Sequence, residues 1–131
     1  MNSLTVNSFM IKNVITIYSF QTVVEASKIM NKHNISFLPV LNKYNKVIGI
    51  ITKHDITINI VSKEKDIYSS VITCMNKNVI SCLKTDTLFN ALKIMEDNNI
   101  SKILVMDKNT LNGIITLKDI KKIPSNGIYI I

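Results

Sequence analysis

Thr52-Lys53-His54-Asp55 and Thr116-Leu117-Lys118-Asp119 are the two stretches whose residue types and spacing could do chemistry. Each directly follows an apolar run that opens on glycine, Gly49-Ile50-Ile51 and Gly113-Ile114-Ile115. A threonine after a strand, with an acid three residues on, is the pattern of a capping box. Its hydroxyl accepts from a helix N–H and its carboxylate bonds back to the cap. A carboxylate is also an acceptor for ligand hydroxyls, and a helix start attracts anions. One threonine can serve both purposes. No nucleophile–base set, metal constellation or pair of buried carboxylates accompanies either stretch, so binding is expected and catalysis is not. Cys74 and Cys82 have no zinc or redox spacing and form no ligand set with His33 or His54. Both cysteines read as reduced, buried, small apolar residues, with a disulfide as the lesser alternative. His33 continues an apolar helix face, and His54 reads as a surface residue.

The two stretches belong to a duplication. Gly49–Ile56 returns as Gly113–Ile120 with six of eight positions identical. Met10, Lys12, Asn13, Val14 and Ile15 recur as Met75, Lys77, Asn78, Val79 and Ile80. Ala26, Ile29 and Met30 recur as Ala91, Ile94 and Met95, and Asn34-Ile35-Ser36 as Asn99-Ile100-Ser101. The offset is 65 (75 − 10) until the last block, where it becomes 64 (113 − 49). A structural unit of half the chain is present twice, so whatever it binds has two related places.

The elements that must position the Thr-x-x-Asp stretches follow from periodicity. Val14–Ile17 is a short β-branched run suited to a strand. Thr22-x-x-Glu25 is a capping box, and Val23, Ala26, Ile29 and Met30 give a helical apolar face that Asn34 stops. Phe37–Leu41 and Val47–Ile51 are strands, with Pro39 implying an edge or an interrupted ladder. A helix begins after Thr52. The second copy repeats this order with Val79–Cys82, Leu88–Asn98, Lys102–Met106, Leu111–Ile115 and a helix from Leu117. The turn 107–110 absorbs the lost residue. Expected boundaries are 9–61 for the first repeat, 62–73 for a charged connector, 74–123 for the second repeat and 124–131 for an apolar tail. Ile67–Met75 has helical spacing, and Ile128–Ile131 reads as a final strand or a partner-binding segment.

The chain has 131 residues, 47% of them hydrophobic, enough for one ordered domain in which two small repeats share a core. No apolar run is long enough to span a membrane, and Met1–Asn7 lacks the features of a signal peptide, so a cytoplasmic protein is expected. The net charge is +7, and all sixteen basic residues are lysines. Such a surface attracts polyanions. Without arginine it lacks the usual bidentate reader of guanine, which disfavours sequence-specific DNA recognition but not weak, salt-sensitive nucleic-acid binding.

Asn-Ile-Ser-x-x-x-Val ahead of Gly-Ile-Ile-Thr-x-x-Asp-Ile, found twice in order, resembles the CBS domain, and two in tandem resemble a CBS pair or Bateman module. The resemblance covers roughly residues 9–56 and 74–120. It implies a mixed α+β (α/β) fold of two tandem β-α-β-β-α repeats related by pseudo-two-fold symmetry. It also implies a sensor that binds AMP, ADP, ATP or S-adenosylmethionine in clefts between the repeats, with no cofactor required. By that resemblance, Asp55 and Asp119 take ribose while Thr52 and Thr116 help to hold phosphate.

In similar proteins the motif of one repeat works with the base pocket of the other. Site one would then join Thr52, Lys53, His54 and Asp55 to Val79, Ile80, Ile100, Ser101 and Lys102. Site two would join Thr116, Lys118 and Asp119 to Val14, Ile15, Ile35, Ser36, Phe37 and Pro39. The company differs: Leu117 replaces Lys53, Lys102 replaces Phe37 and Leu104 replaces Pro39. Site one would suit several phosphates, while Phe37 would stack on a base or plug site two. Ser36 and Ser101 are equally readable as strand-entry residues. The leading expectation is a homodimeric sensor that changes shape and regulates a separate protein. The alternatives are a basic nucleic-acid binder and a scaffold with empty pockets.

Overall fold

The computed structural model describes residues 4–122. In chain order its helices and strands are α1 (Val6–Phe9), β1 (Ile17–Tyr18), α2 (Val23–His33), β2 (Phe37–Leu41), β3 (Val47–Thr52), α3 (Lys53–Ile56), β4 (Ser81–Cys82), α4 (Leu88–Asp97), β5 (Lys102–Asp107), β6 (Thr110–Thr116) and α5 (Leu117–Ile120). A π-helical turn, Thr57–Val61, continues α3, and a 3-10 turn covers Val71–Thr73. The apolar tail expected at 124–131 lies outside the described residues.

Residues 15–79 form one compact unit. Thr22 starts its main helix: its hydroxyl accepts from Glu25 N at 3.1 Å, and the Glu25 carboxylate accepts from Thr22 N at 3.2 Å. Asn34 ends it in the left-handed conformation, at φ 54°, which asparagine tolerates. The helix buries Val23, Ala26 and Met30 against Leu38, Val40 and Ile51 of the sheet. Each such large side chain contributes roughly 1.5–3 kcal/mol when withdrawn from water. The sheet order is β1-β2-β3, with β1 parallel and β3 antiparallel to β2.

Residues 4–14 and 80–122 form the second unit. Its sheet β4-β5-β6 has the same strand directions. Its core is the first unit's core with substitutions: Cys82 stands at the position of Ile17, Leu88 at Val23, Ile103 at Leu38 and Ile120 at Ile56. The lost residue falls in the expected turn. Leu41 and Val47 close five residues, whereas Met106 and Leu111 close four, with Lys108 and Asn109 at φ 50° and 68°. Two consecutive positive φ values make the tight hairpin turn whose twist matches its strands.

The repeats of the sequence and the compact units are offset. The segment ahead of repeat one pairs with repeat two, through the bridge of Ile11 to Ile114. The equivalent segment ahead of repeat two pairs with repeat one, through Ile50 and Asn76. Val6 and Val71, equivalent in sequence, each enter the core of the other repeat. Gly49 and Gly113 are fixed by this crossing. A Cβ on Gly49 would lie 2.7 Å from Met75 Sδ and 3.0 Å from Asn76 O. On Gly113 it would lie 2.7 Å from Ile11 O and 2.9 Å from Met10 Sδ.

Several expectations change. The strands expected at Val14–Ile17 and Val79–Cys82 shrink to two residues each, because only those two find parallel partners, on β2 and β5. The helical spacing of Ile67–Met75 yields a 3-10 turn alone. Its start is held by Ser70, whose hydroxyl donates to Ser19 O at 2.6 Å. Strand β2 is central, not an edge. It tolerates Pro39 because Ile50, opposite it, turns its own N–H and C=O to Asn76. An antiparallel pair facing away from each other needs no N–H from the proline, and β1 begins pairing only at Val40. His33 is exposed, not part of the apolar helix face.

Candidate functional site

Each Thr-x-x-Asp stretch leaves the end of a strand and opens a short helix, so its shape is set by the cap. Thr52 Oγ1 accepts from Asp55 N at 3.0 Å, and Asp55 Oδ2 accepts from Thr52 N at 3.0 Å. The second copy is built differently. Thr116 Oγ1 accepts from Asp119 N at 3.1 Å but donates its own proton to Asp119 Oδ2 at 2.7 Å. Lys122 Nζ stands 3.8 Å from Asp119 Oδ1. This exposed ion pair adds little stability. The threonine cap is therefore realised in both copies and the reciprocal capping box only in the first, and both carboxylates are held in defined orientations, half-buried at the surface.

The helix starts are partly occupied. Lys53 N donates to Ser36 O at 3.0 Å and Leu117 N to Ser101 O at 2.8 Å. With the aspartate N–H given to threonine, two of the first three amides in each helix are taken. Helix α5 has four residues, and α3 has four before its π-helical continuation. The pull on a phosphate from free helix N–H groups is correspondingly smaller than expected from sequence. Any phosphate at these turns would be met chiefly by side-chain charge, from the exposed Lys53, His54 and Lys118.

The expected site residues distribute over the units as follows. Residues 15–79 hold Thr52, Lys53, His54, Asp55, Ile15, Ile35, Ser36, Phe37, Pro39 and Val79. Within this unit Thr52 is paired in register with Phe37, and Ser36 touches the turn through its carbonyl. The other unit holds Thr116, Lys118, Asp119, Val14, Ile80, Ile100, Ser101 and Lys102. There Thr116 is paired with Lys102, and Ser101 touches the turn. Each turn is thus seated beside the Ile-Ser strand entry of its own repeat. Pro39 is buried, while Phe37 and Lys102 are half-buried. An open groove of about 620 Å³ on α4 takes in Ile100, Ser101 and Leu117 together with Phe89, Leu92 and Lys93.

Two further residues bear on the site. Cys74 is buried, and its thiol is pushed up to about 11, first by burial and then by the negative charge of Asp55. Cys82 is pushed up to about 12 by burial and by Asp86. Both are unbridged, so each packs as an apolar residue. Asn112 was not singled out by the sequence. Its Oδ1 is buried without a hydrogen-bond partner among the described residues. The signal was available in the duplication, because the first repeat has Ile48 at this position. Asn112 is the unpaired residue at the bulge where the β5–β6 register shifts, between Leu111 opposite Met106 and Gly113 opposite Val105. No group of three or more His, Cys, Asp or Glu able to hold a metal occurs among the described residues.

Two copies of a sheet-and-helix unit, each ending in a capped Thr-x-x-Asp turn, define a tandem module of duplicated α+β repeats. A sequence profile of the CBS domain matches residues 6–62 and again 65–126, and the chain belongs to the CBS domain family. Protein MJ1232 of Methanocaldococcus jannaschii is 38% identical over 116 residues, 88% of this chain. The inosine-5'-monophosphate dehydrogenase of the same organism is 40% identical over 114 residues, 86% of this chain. The chain spans only 38% and 22% of the length of these two relatives. Among solved structures, the CBS domain pair of protein MJ0100, in complex with 5'-methylthioadenosine and S-adenosyl-L-methionine, superposes with a TM-score of 0.80 at 31% identity. That match covers 92% of this chain and 95% of the other. A conserved protein from Pyrococcus horikoshii superposes with a TM-score of 0.81 at 26% identity, covering 93% of each chain.

Proposed function

We propose that this chain is a regulatory module that binds an adenosyl ligand, with the Thr52–Asp55 and Thr116–Asp119 turns holding the ribose. Its candidate ligands are S-adenosylmethionine, 5'-methylthioadenosine and the adenine nucleotides AMP, ADP and ATP. The observation that carries the reading is the pair of half-buried carboxylates, each fixed by its cap in one orientation. A fixed carboxylate accepts from both ribose hydroxyls at little ordering cost. The adenosyl complex of protein MJ0100, the same fold at 31% identity, supports the ligand class. The partly occupied helix starts favour ligands recognised by base and ribose over those recognised by phosphate. Ile15, Ile35, Phe37 and Pro39 in one unit, and Ile80, Ile100 and Lys102 with Val14 in the other, supply the base-facing surface. Ser36, Ser101 and Val79 flank it.

The module regulates a separate protein by favouring one of two states when ligand is bound, and works as a homodimer in the cytoplasm. The exposed apolar residues Ile58 and Val61 in one unit, and Phe89 in the other, support pairing with a second copy. No helix among the described residues is long and apolar enough to cross a membrane.

Asp55→Asn and Asp119→Asn test the ribose contact. Asparagine keeps an oxygen for the cap but loses the charge. By titration calorimetry with S-adenosylmethionine, 5'-methylthioadenosine and AMP, each change is expected to weaken its own site about tenfold or more, the loss of a charged hydrogen-bond acceptor. Thermal unfolding of the ligand-free variants should move little. Unchanged affinity in both variants, or no thermal stabilisation of the wild type by any of the ligands, would sink the assignment.

A further inference from the structure

The duplication provides an internal control, because whatever the fold requires should recur in both repeats. One cluster does not. Tyr18 and Phe20 stack on each other with ring centroids 5.2 Å apart and planes 10° from parallel. Tyr18 OH donates to Asn45 Oδ1 at 3.0 Å, which ties the β2–β3 turn to the pair. In that turn Lys43 Nζ lies 5.2 Å from the centre of the Tyr44 ring. Phe20 and Tyr44 are 69% and 70% exposed, and Tyr18 is 37% exposed. Repeat two has Leu83 at the position of Tyr18 and Thr85 at that of Phe20. Its shorter turn carries Lys108-Asn109 and no ring. The same sheet closes without these aromatics, so their exposure in repeat one is not a by-product of folding.

We propose that Tyr18, Phe20 and Tyr44, with Lys43, form a stacking platform for the bases of single-stranded nucleic acid, separate from the Thr-x-x-Asp turns. Exposed rings accept any base face, and neighbouring lysines meet the phosphates. The charge is suitable. Residues 15–79 hold eight lysines against four carboxylates, a balance of +4 (8 − 4). The Glu25 carboxylate lies beyond Gln21 and is tied to Gln21 and Thr22 by hydrogen bonds. The rings are interleaved with Ser19, Gln21, Asn42 and Asn45, so they do not make the continuous apolar face that a protein partner would cover. With no arginine in the chain, binding is tolerant of sequence.

The experiment measures fluorescence anisotropy of an end-labelled oligothymidylate, about fifteen nucleotides long to fill one platform, titrated with the full chain. Phe20→Ala and Tyr44→Ala should each weaken binding about tenfold at fixed low salt, with unchanged thermal unfolding because both rings are exposed. The chain has no tryptophan, and two of its four tyrosines, Tyr18 and Tyr44, lie in the platform, so part of the tyrosine emission should be quenched on binding, and less of it in Tyr44→Ala. Lys84→Ala, in the other unit, should keep most of the affinity. Absence of binding by the wild type at low salt would overturn the proposal. So would equal affinity of the ring variants, which would leave only diffuse lysine attraction. Sedimentation showing a wild-type dimer that Phe20→Ala dissociates would also overturn it, by assigning the rings to a second copy. Adenosyl-ligand binding by Phe20→Ala, followed separately, should be unaffected.

Discussion

Asp55 lies close enough to Cys74 for its charge to help hold that thiol neutral. Both cysteines illustrate how a reactive side chain is silenced by its surroundings. Removal from water disfavours the thiolate, and a nearby carboxylate disfavours it further. Because each pKa is higher in the folded chain than in the unfolded one, the associated stability is fully present below the unfolded value near 9.0. It is lost as pH rises toward about 11 for Cys74 and about 12 for Cys82. Two outcomes are expected. Native chain at pH 8 should resist alkylation at both thiols, with rapid labelling after denaturation, and urea stability should decline above pH 9. Fast labelling of native Cys74 at pH 8 would contradict its burial. At this scale the sequence was partly legible. The capping of Thr52 and Thr116 could be read from spacing, because a cap is local. The donation of the Thr116 hydroxyl to Asp119 could not, because it depends on a rotamer and on where Lys122 falls. The exposure of His33 was missed because helical spacing places a residue near a face without saying how far the sheet extends beneath it.

Elements that pair across long sequence distances were the least legible. Helices α2 and α4 follow from local periodicity and caps, and they lie close to where the pattern puts them. Strand β1 does not, since its length is decided by how far β2 runs alongside it. Pro39 read as the sign of an edge or an interrupted ladder because proline lacks an N–H, and the interruption is what the structure has. The central position of β2 became possible only through the crossing segment, which draws Ile50 toward Asn76. The same segments explain Gly49 and Gly113 and lead to a graded prediction. Gly113→Ala puts a methyl against the Ile11 carbonyl, which is backbone, whereas the closest atom to Gly49 is the end of a flexible methionine. Gly113→Ala should cost about 2–3 kcal/mol and Gly49→Ala about 1 kcal/mol, the range for overpacked interiors. Urea denaturation of both variants measures this; a larger loss in Gly49→Ala would show that Met75 cannot yield.

For the whole molecule, the duplication and the α+β order of its elements were plain in the sequence, but the single core expected for the two repeats is instead two, one in each compact unit. What could not be read is that each compact unit borrows the leading segment of the opposite repeat, because similarity reports which residues correspond and not which ones touch. A fragment of residues 15–79 contains every partner of its own core, including Val71, Met75 and Asn76. A fragment of residues 1–62 has repeat one but none of the three. Circular dichroism should find a cooperative melt for the first at micromolar concentration and none for the second. Equal stability of the two would show that the leading segment can serve its own repeat. The exchange also bears on descent. An ancestor encoding one repeat would have made a chain whose arm fitted a sister molecule's glycine, so two molecules had to embrace before either was whole. Carrying both repeats in tandem, this chain supplies each with the other's arm, so that what would be a partnership between molecules is a property of one chain. Within one chain the two copies need not keep the same surface, and here they differ: one carries aromatic rings where its twin has none.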